Sequence, residues 1–303
     1  MTFAEKHGAL HVEGVQLADE HGEAVRLCGM STHGLAWRRE FVCEETFREL
    51  RDVWGTNCVR LALYTAEHMG YCTGGNKQEL FGLVRKGIDL AKELGMYVIV
   101  DWHVLDEKSP LVYADEAERF FDALAAEYAG CPNLLYEICN EPNKGTGWDE
   151  IVQYAERVIP VIRRHSPEAV VIVGSPDWSQ HPDCALDQPI GFDNLLYSLH
   201  FYAATHRDGL RERVKRCLDG GVPVFISECS LTESTGSGTP DLESGEKWFG
   251  LLDSYGVGYI VWSLASSPET SAVIAPGCRK LSGWQDGEIK QTGLWFREKF
   301  RRK

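Results

Sequence analysis

Four things are missing or scarce in this 303-residue chain, and each removes a class of function. The ten cysteines form no Cys-x-x-Cys pair, so a zinc knuckle is not expected. No Gly-x-Gly-x-x-Gly opens a helix after the first apolar strand run, which disfavours a dinucleotide-binding open sheet. No apolar run reaches membrane-spanning length and none resembles a leader. The opening MTFAEKHGAL is polar, so an export signal is expected to be either removed or absent. Positive charge is short as well: 31 basic against 45 acidic residues, a net charge of −14. Nucleic acid needs a concentrated basic surface, so it is not an expected partner. The basic residues of Arg211 to Arg216 are interleaved with Glu212 and Val214 and predict a solvated helix face.

What is present is a large core. Apolar residues make up 44% and charged residues 25%, ordinary values for a folded domain. Cys28, Cys58 and Cys139 lie inside apolar runs, where a free thiol behaves as a small hydrophobe. Mostly free thiols would suit a reducing or anaerobic setting. No linker or low-complexity tract divides the chain, so residues 1–303 are expected to form one domain.

Strand runs alternate with helical patterns. The opening 10–30 predicts a small hairpin feeding a first strand near Arg26 to Met30. Seven more strand runs follow at 58–63, 96–102, 134–139, 170–175, 195–201, 223–228 and 259–264. Amphipathic segments lie between them at 79–94, 114–129, 148–165, 210–218 and 243–255, with a last helix near 294–300. Strands apolar on both faces suit a parallel sheet covered by helices. Eight such units in about 300 residues are the count of an α/β fold of the (β/α)8 TIM-barrel type. A doubly wound sheet is the alternative.

In a barrel the working face is the C-terminal end of the strands. Those ends carry Ser31 to Trp37, Arg60 and Tyr64, Asp101-Trp102-His103, Asn140-Glu141, Asp177-Trp178, His200-Phe201-Tyr202, Glu228, and Trp262. Polar and aromatic groups thus converge on one rim. Glu141 and Glu228, on strands four and seven, face each other across the mouth. A proton donor and a second carboxylate are what glycosidic hydrolysis requires; a separation of about 5 Å would make the second a nucleophile and retain configuration. Arg60 and the Tyr202 hydroxyl are candidates to keep Glu228 ionised. A neighbouring carboxylate is expected to raise the pKa of Glu141. Asn140 suits a hydrogen bond to a sugar hydroxyl.

Several stretches are similar to glycoside hydrolase family 5, and within it to bacterial endo-β-1,4-glucanases. They are GMSTHGLAW (29–37), VRLALYT (59–65), YVIVDWHVL (97–105), LLYEICNEPN (134–143), WSQ (178–180), LHFYAATH (199–206), PVFISE (223–228) and VWSLASSPETSA (261–272). They span nearly the whole chain in order. The resemblance implies a retaining, endo-acting enzyme on cellulose or related β-glucans, with no cofactor and no metal. It implies Glu141 as acid/base and Glu228 as nucleophile, with Arg60, His103, Asn140, His200, Tyr202 and Trp262 around the cleaved bond. His33, Trp37, Tyr64, Trp178 and Glu269 fall where the family holds the sugar chain. It also implies a monomer acting outside the cell, in contact with polysaccharide and not with a membrane.

Two departures stand out. Glu228 is followed by Cys229-Ser230 where the family's cellulases usually have Trp-Gly. Relatives often carry a lysine at the Ser267 position, and its loss predicts a weaker hold on the non-reducing side or tolerance of a different backbone sugar. Cys229 is expected to be a passive thiol, with oxidation beside the nucleophile as the alternative. The loop Ala265 to Thr292 is expected to shape one side of the cleft. Mannanase, xylanase and mixed-linkage glucanase activities are rival readings, and a non-catalytic sugar-binding barrel is another. A metal-dependent amidohydrolase using His33, His103 and His200 is a remote one, since His33 stands alone on its strand.

Overall fold

The computed structural model describes residues 1–302. A short helix α1 (Phe3–His7) precedes three small antiparallel strands, β1 (His11–Glu13), β2 (Gln16–Ala18) and β3 (Ala24–Val25). The expected hairpin is therefore a three-stranded sheet, separate from the barrel.

The barrel closes in the order of the chain. Its strands are β4 (Cys28–Thr32), β5 (Cys58–Tyr64), β6 (Tyr97–His103), β7 (Leu134–Cys139), β8 (Val171–Val173), β9 (Leu195–Tyr202), β10 (Val224–Ser230) and β11 (Tyr259–Leu264), all parallel to their neighbours. This is the (β/α)8 architecture that the strand count predicts. Around it run α2 (Glu44–Glu49), α3 (Lys77–Glu93), α4 (Ala114–Glu127), α5 (Trp148–Arg163), two one-turn elements α6 (Pro176–Ser179) and α7 (Cys184–Asp187), α8 (Asp208–Asp219), α9 (Leu242–Tyr255) and α10 (Gln291–Arg301).

Local chemistry sets the boundaries. Helix α3 starts two residues before the predicted 79 because the Asn76 side chain accepts from the amides of Gln78 and Glu79. It buries Leu80, Val84, Ile88 and Ala91, one helical stripe, against the strands. Gly87 lies in that stripe because a Cβ there would stand 2.6 Å from Leu61 Cδ1. Strand β8 is shorter than predicted because Gly174 presses on the Cys139 carbonyl, where a Cβ would come within 2.3 Å. Helix α2 and the turn Leu50–Trp54 were not among the predicted segments; Phe47, Leu50 and Trp54 bury their spacing of three and four into the barrel shell. Helix α8 corrects another expectation. Arg211 is not solvated but buried, bonded to Asp208 and stacked on Trp248 with 5.5 Å from guanidinium to ring centroid.

Two cores result. The larger fills the space between strands and helices. The smaller closes the N-terminal end of the barrel, where Cys58, Tyr97, Ile99, Leu135, Ile172, Leu196, Phe225 and Ile260 meet Leu10, Leu17 and Val25 of the small sheet region. The N-terminal strands are thus a plug under the barrel floor.

Candidate active site

Strict alternation governs the lower half of each strand and breaks in the upper half of some. On β5 and β6 the pairing is continuous, so Cys58, Arg60, Ala62 and Tyr64, and Tyr97, Ile99, Asp101 and His103, share the inward face. On β10 the register with β9 slips between Phe225 and Glu228, and on β7 with β8 between Glu137 and Cys139. These irregularities re-aim the strand ends. Glu228 turns inward beside His200, and Cys229 turns outward into the shell core.

At the centre lies Arg60, 0% exposed. Its Nε donates to Glu137 Oε2 at 2.7 Å, Nη2 to Asn140 Oδ1 at 2.6 Å and Nη1 to Glu228 Oε2 at 3.3 Å, while Asp101 Oδ2 lies 3.0 Å from Nη2. Burial alone would lower the arginine's pKa, but Asp101, Glu137 and Glu228 override it and hold the guanidinium charged. Tyr202 donates its hydroxyl to Glu228 Oε1 at 2.6 Å. Both donors expected for Glu228 are in place. Burial lifts the Glu228 pKa to about 7, with Glu141 adding to the rise and His200, Arg60 and Tyr202 opposing it.

Glu141 is reached from the other side. Its backbone is fixed by an amide bond to the Val104 carbonyl at 3.0 Å, and the Asn143 side chain donates to its carbonyl at 2.8 Å. Its Oε1 lies 2.8 Å from His200 Nδ1, and His200 Nε2 lies 2.9 Å from the Ser227 hydroxyl. Burial lifts the Glu141 pKa to about 8, opposed by Arg60 and assisted by Asp101 and Glu137. The expected cause was a neighbouring carboxylate; desolvation comes first, because the side chain is only 13% exposed. Oxygens of Glu141 and Glu228 and a nitrogen of His200 all lie within 4.8 Å of one another.

Burial holds His200 neutral, its pKa lowered to about 4, and drives His103 well below the ordinary imidazole range. His103 Nδ1 lies 2.6 Å from Asp101 Oδ2, and its Nε2 faces the Asn140 amide nitrogen at 3.2 Å. Asn140 also donates to the Val104 carbonyl at 3.3 Å. Asn140 thereby ties Arg60 to His103 within the protein.

The aromatic residues frame the acid pair. Tyr64 packs on His103 with centroids 3.9 Å apart and on Trp37 at 4.6 Å. Trp262 stacks near His103 at 5.4 Å and His33 at 5.1 Å, and its bond to Ser263 is cis. His33 Nδ1 accepts from the Gly34 amide, which leaves Nε2 toward Glu269 Oε2 at 3.7 Å. That contact lowers the Glu269 pKa. Trp178 stands on the opposite side of Glu141, in a cleft of about 310 Å³ shared with Gln180, His200, Tyr202, His206 and Ser234. Asp177, Trp178 and Ser179 all have positive φ, at 57°, 58° and 54°. Each such non-glycine residue costs about 1–3 kcal/mol. Bonds from the Trp178 amide to the Pro142 carbonyl at 3.0 Å and from Ser179 Oγ to the Asn140 carbonyl at 2.6 Å hold the turn against the Glu141 strand end.

All thirteen predicted site residues therefore fall on one face. Glu137 and Ser227 join them and were not singled out, and Asp101, noted at its strand end, was given no role; their signal was a charged or polar residue at an inward position of an apolar strand. His206 was also missed: it accepts the Tyr202 amide on Nδ1, leaving Nε2 to carry the proton. Position 267 is a serine, yet an ammonium stands at its carbonyl, supplied by Lys290 at 2.5 Å. Cys229 is not an oxidation site: it is 0% exposed, and burial pushes its thiol well above the usual range. No disulfide forms among the ten cysteines.

Among the described residues the rim histidines share no metal-ligand set; the group with that spacing is Glu141, His200 and Glu228. It fits a metal poorly, since both nitrogens of His200 face protein partners and Glu228 is bonded to Arg60 and Tyr202. A more apolar hollow near the barrel floor, lined by Leu10, Cys131, Leu134, Pro167 and Val170, has no comparable cluster. No helix is long and apolar enough to cross a membrane among the described residues.

Residues 18–267 match the family model Cellulase (glycosyl hydrolase family 5). Endoglucanase A of Butyrivibrio fibrisolvens is 40% identical over 96% of this chain and 68% of its own length. An endoglucanase of Clostridium saccharobutylicum is 38% identical over 96% of this chain and 64% of its own length. The chain thus spans about two thirds of these relatives. Among solved structures, the catalytic domain of a Thermobifida fusca endoglucanase in complex with cellotetraose superposes with a TM-score of 0.95 at 35% identity, covering 99% of this chain and 100% of that one.

Proposed function

The chain belongs to the cellulase family, glycosyl hydrolase family 5, and from that premise we propose that it cleaves internal β-1,4-glucosidic bonds through Glu141 and Glu228. The observation that carries the mechanism is the pair itself: two carboxyls with oxygens inside 4.8 Å but in unlike surroundings. Inverting enzymes need about 6.5–9.5 Å to admit a water between the groups, whereas about 5 Å suits direct attack and retention.

The roles follow from the partners. Glu228 faces Arg60 and the Tyr202 hydroxyl, which stabilise its charge, so it ionises before Glu141. Glu141 has the higher pKa and keeps its proton. In the first step Glu228 attacks the anomeric carbon and the leaving oxygen takes the Glu141 proton. In the second, ionised Glu141 removes a proton from water, and the resulting hydroxide equivalent breaks the glycosyl ester. Both carboxyls return to their starting states. The cleft with Trp178 and His206 adjoins the proton donor and takes the leaving part of the chain. The wall of His33, Trp37, Tyr64, Trp262 and Glu269 holds the part that becomes esterified. Sugar rings present apolar faces that stack on Trp and Tyr.

Residues 1–303 act in this reading as one catalytic unit. A polymeric substrate cannot enter a cell, so the enzyme meets it outside; activity found only in cell lysate and never in culture medium would contradict this. The function is tested by reducing-sugar release from carboxymethylcellulose, mixed-linkage glucan, glucomannan, mannan and xylan, with first-formed anomers followed by NMR. β-Anomers from glucans support the reading. α-Anomers overturn retention, and mannan or xylan as best substrate reassigns the backbone sugar.

A further inference from the structure

The wall that carries Glu269 is held by few side chains of its own: Ser266 Oγ donates to the Ala275 carbonyl at 2.9 Å and Thr270 Oγ1 to the Gly238 carbonyl at 2.8 Å. It belongs to the loop after β11, whose hydroxyls at Ser267 and Ser271 are buried without partners. Three of its carbonyls are captured from the start of α10, and the Glu269 carbonyl also accepts from the Ala272 amide at 3.2 Å. Lys290 Nζ donates to the Ser267 carbonyl at 2.5 Å and also to the Glu269 carbonyl, and Thr292 Oγ1 donates to the Thr270 carbonyl at 2.8 Å. The base of this clamp is rigid: Ile289 pairs with Ile274, and the Lys290 amide donates to the Val273 carbonyl at 2.9 Å. The Glu269 side chain is 45% exposed and its ion-pair contact is the 3.7 Å approach to His33. Its direction is therefore set by where the backbone is held.

We propose that Lys290 is a positioning residue for substrate recognition. By holding the Ser267 and Glu269 carbonyls it places the Glu269 carboxylate at His33 and so sets how firmly the esterified side of the cleft grips the sugar chain. The inference rests on the glycosidase reading. Lys290 touches no reacting atom, so its loss acts on binding before chemistry. A charged donor to two carbonyls is partly shielded here, and burial lowers its pKa only against the opposing pull of Glu269.

Aryl β-cellotrioside isolates the effect, because its sugars occupy only the esterified side. Lys290→Met should raise KM about fivefold, the size of one ordinary hydrogen bond since the effect on the sugar is indirect, with kcat per titrated active site changing by less than about twofold. Lys290→Arg, which keeps the donors, should recover most of the affinity. In a Glu269→Gln background Lys290→Met should add little, since both act through one carboxylate. A wild type inactive on the aryl substrate would overturn the glycosidase reading and this inference together. An active wild type with KM unchanged in Lys290→Met, with kcat and KM changed by stability loss alone, or with a full additional effect in the Glu269→Gln background, would overturn the role of Lys290 by itself.

Discussion

The floor and the mouth of this barrel are built on the same strands, yet almost no inward side chain is chemically alike between them. On β5 the inward residue goes from Cys58 to Arg60 in two positions, on β7 from Leu135 to Glu137, on β6 from Ile99 to Asp101. The floor needs no partners. It is apolar, and the strands β1 to β3 with Leu10 keep water from it. The mouth holds Arg60, Asp101, Glu137 and Glu228 at 4% exposure or less, so every charge there must be answered by another. One guanidinium answers three carboxylates. The difference teaches that the floor's dryness is part of the chemistry above it: burial is the first cause of the raised pKa of Glu141, Glu228 and Asp101 alike.

Substitutions sharpen or break this contrast. The largest effect is expected for Glu228→Gln, which should lower kcat on the order of 10⁴-fold or more while cello-oligosaccharide binding survives. Loss of binding with turnover intact, by calorimetry and initial rates, would refute its role. Glu141→Gln comes next, with a loss of about 10²–10⁴-fold that shrinks for aryl substrates whose leaving groups need no proton. Wild-type activity should rise with pH as Glu228 ionises through about 7 and fall as Glu141 loses its proton above about 8. The alkaline fall should vanish in Glu141→Gln; its persistence would assign that limb to another group. Linkage gives the same group a second signature. Its folded pKa lies above the unfolded one, so its contribution to stability is complete below the unfolded carboxyl pKa and is lost as pH rises through about 8.

A smaller effect separates the ends directly. Arg60→Met leaves buried carboxylates unanswered and should cost about 3–5 kcal/mol of stability together with activity. Ile99→Ala, on the floor, should cost about 2–5 kcal/mol with kcat per folded molecule unchanged. Denaturant titration and active-site titration distinguish the two, and a floor variant with an altered pH profile would show that the ends are not separable. Smallest of all, iodoacetamide should leave Cys229 unmodified and activity intact in the native protein; rapid loss of activity protected by substrate would contradict its burial.

Much of this was legible in the sequence because a (β/α)8 barrel delivers its strand ends to one rim. Eight strand runs and the order of Arg60, His103, Glu141, His200 and Glu228 along them were enough to place these residues on one face. What lay beyond reach was phase. Alternation from Phe225 would put Cys229 inward and Glu228 outward, and only the slip between β9 and β10 reverses this. The buried network was half visible: Glu137 and Arg60 were each a charge in an apolar strand, but their pairing depends on facing positions 77 residues apart in the chain. Asn140 was legible as a site residue beside Glu141, but its partners within the protein, from β6 and Arg60, were not. The Lys290 clamp had no local sign at all.

The slips in pairing have a consequence for anyone who would move this site. The strands keep a two-letter frame, in and out, and the frame is intact on the floor. It shifts near Glu137, Glu228 and Trp262, always toward the mouth. A shift of frame is a property of spacing rather than of any side chain, so point substitutions cannot undo it. With the frame unbroken, Glu228, three positions after the inward Phe225, would face outward with its chemistry untouched. The proposed catalytic pair is thus held in register by a slip of strand pairing, and transplanting it to another barrel means transplanting that slip first.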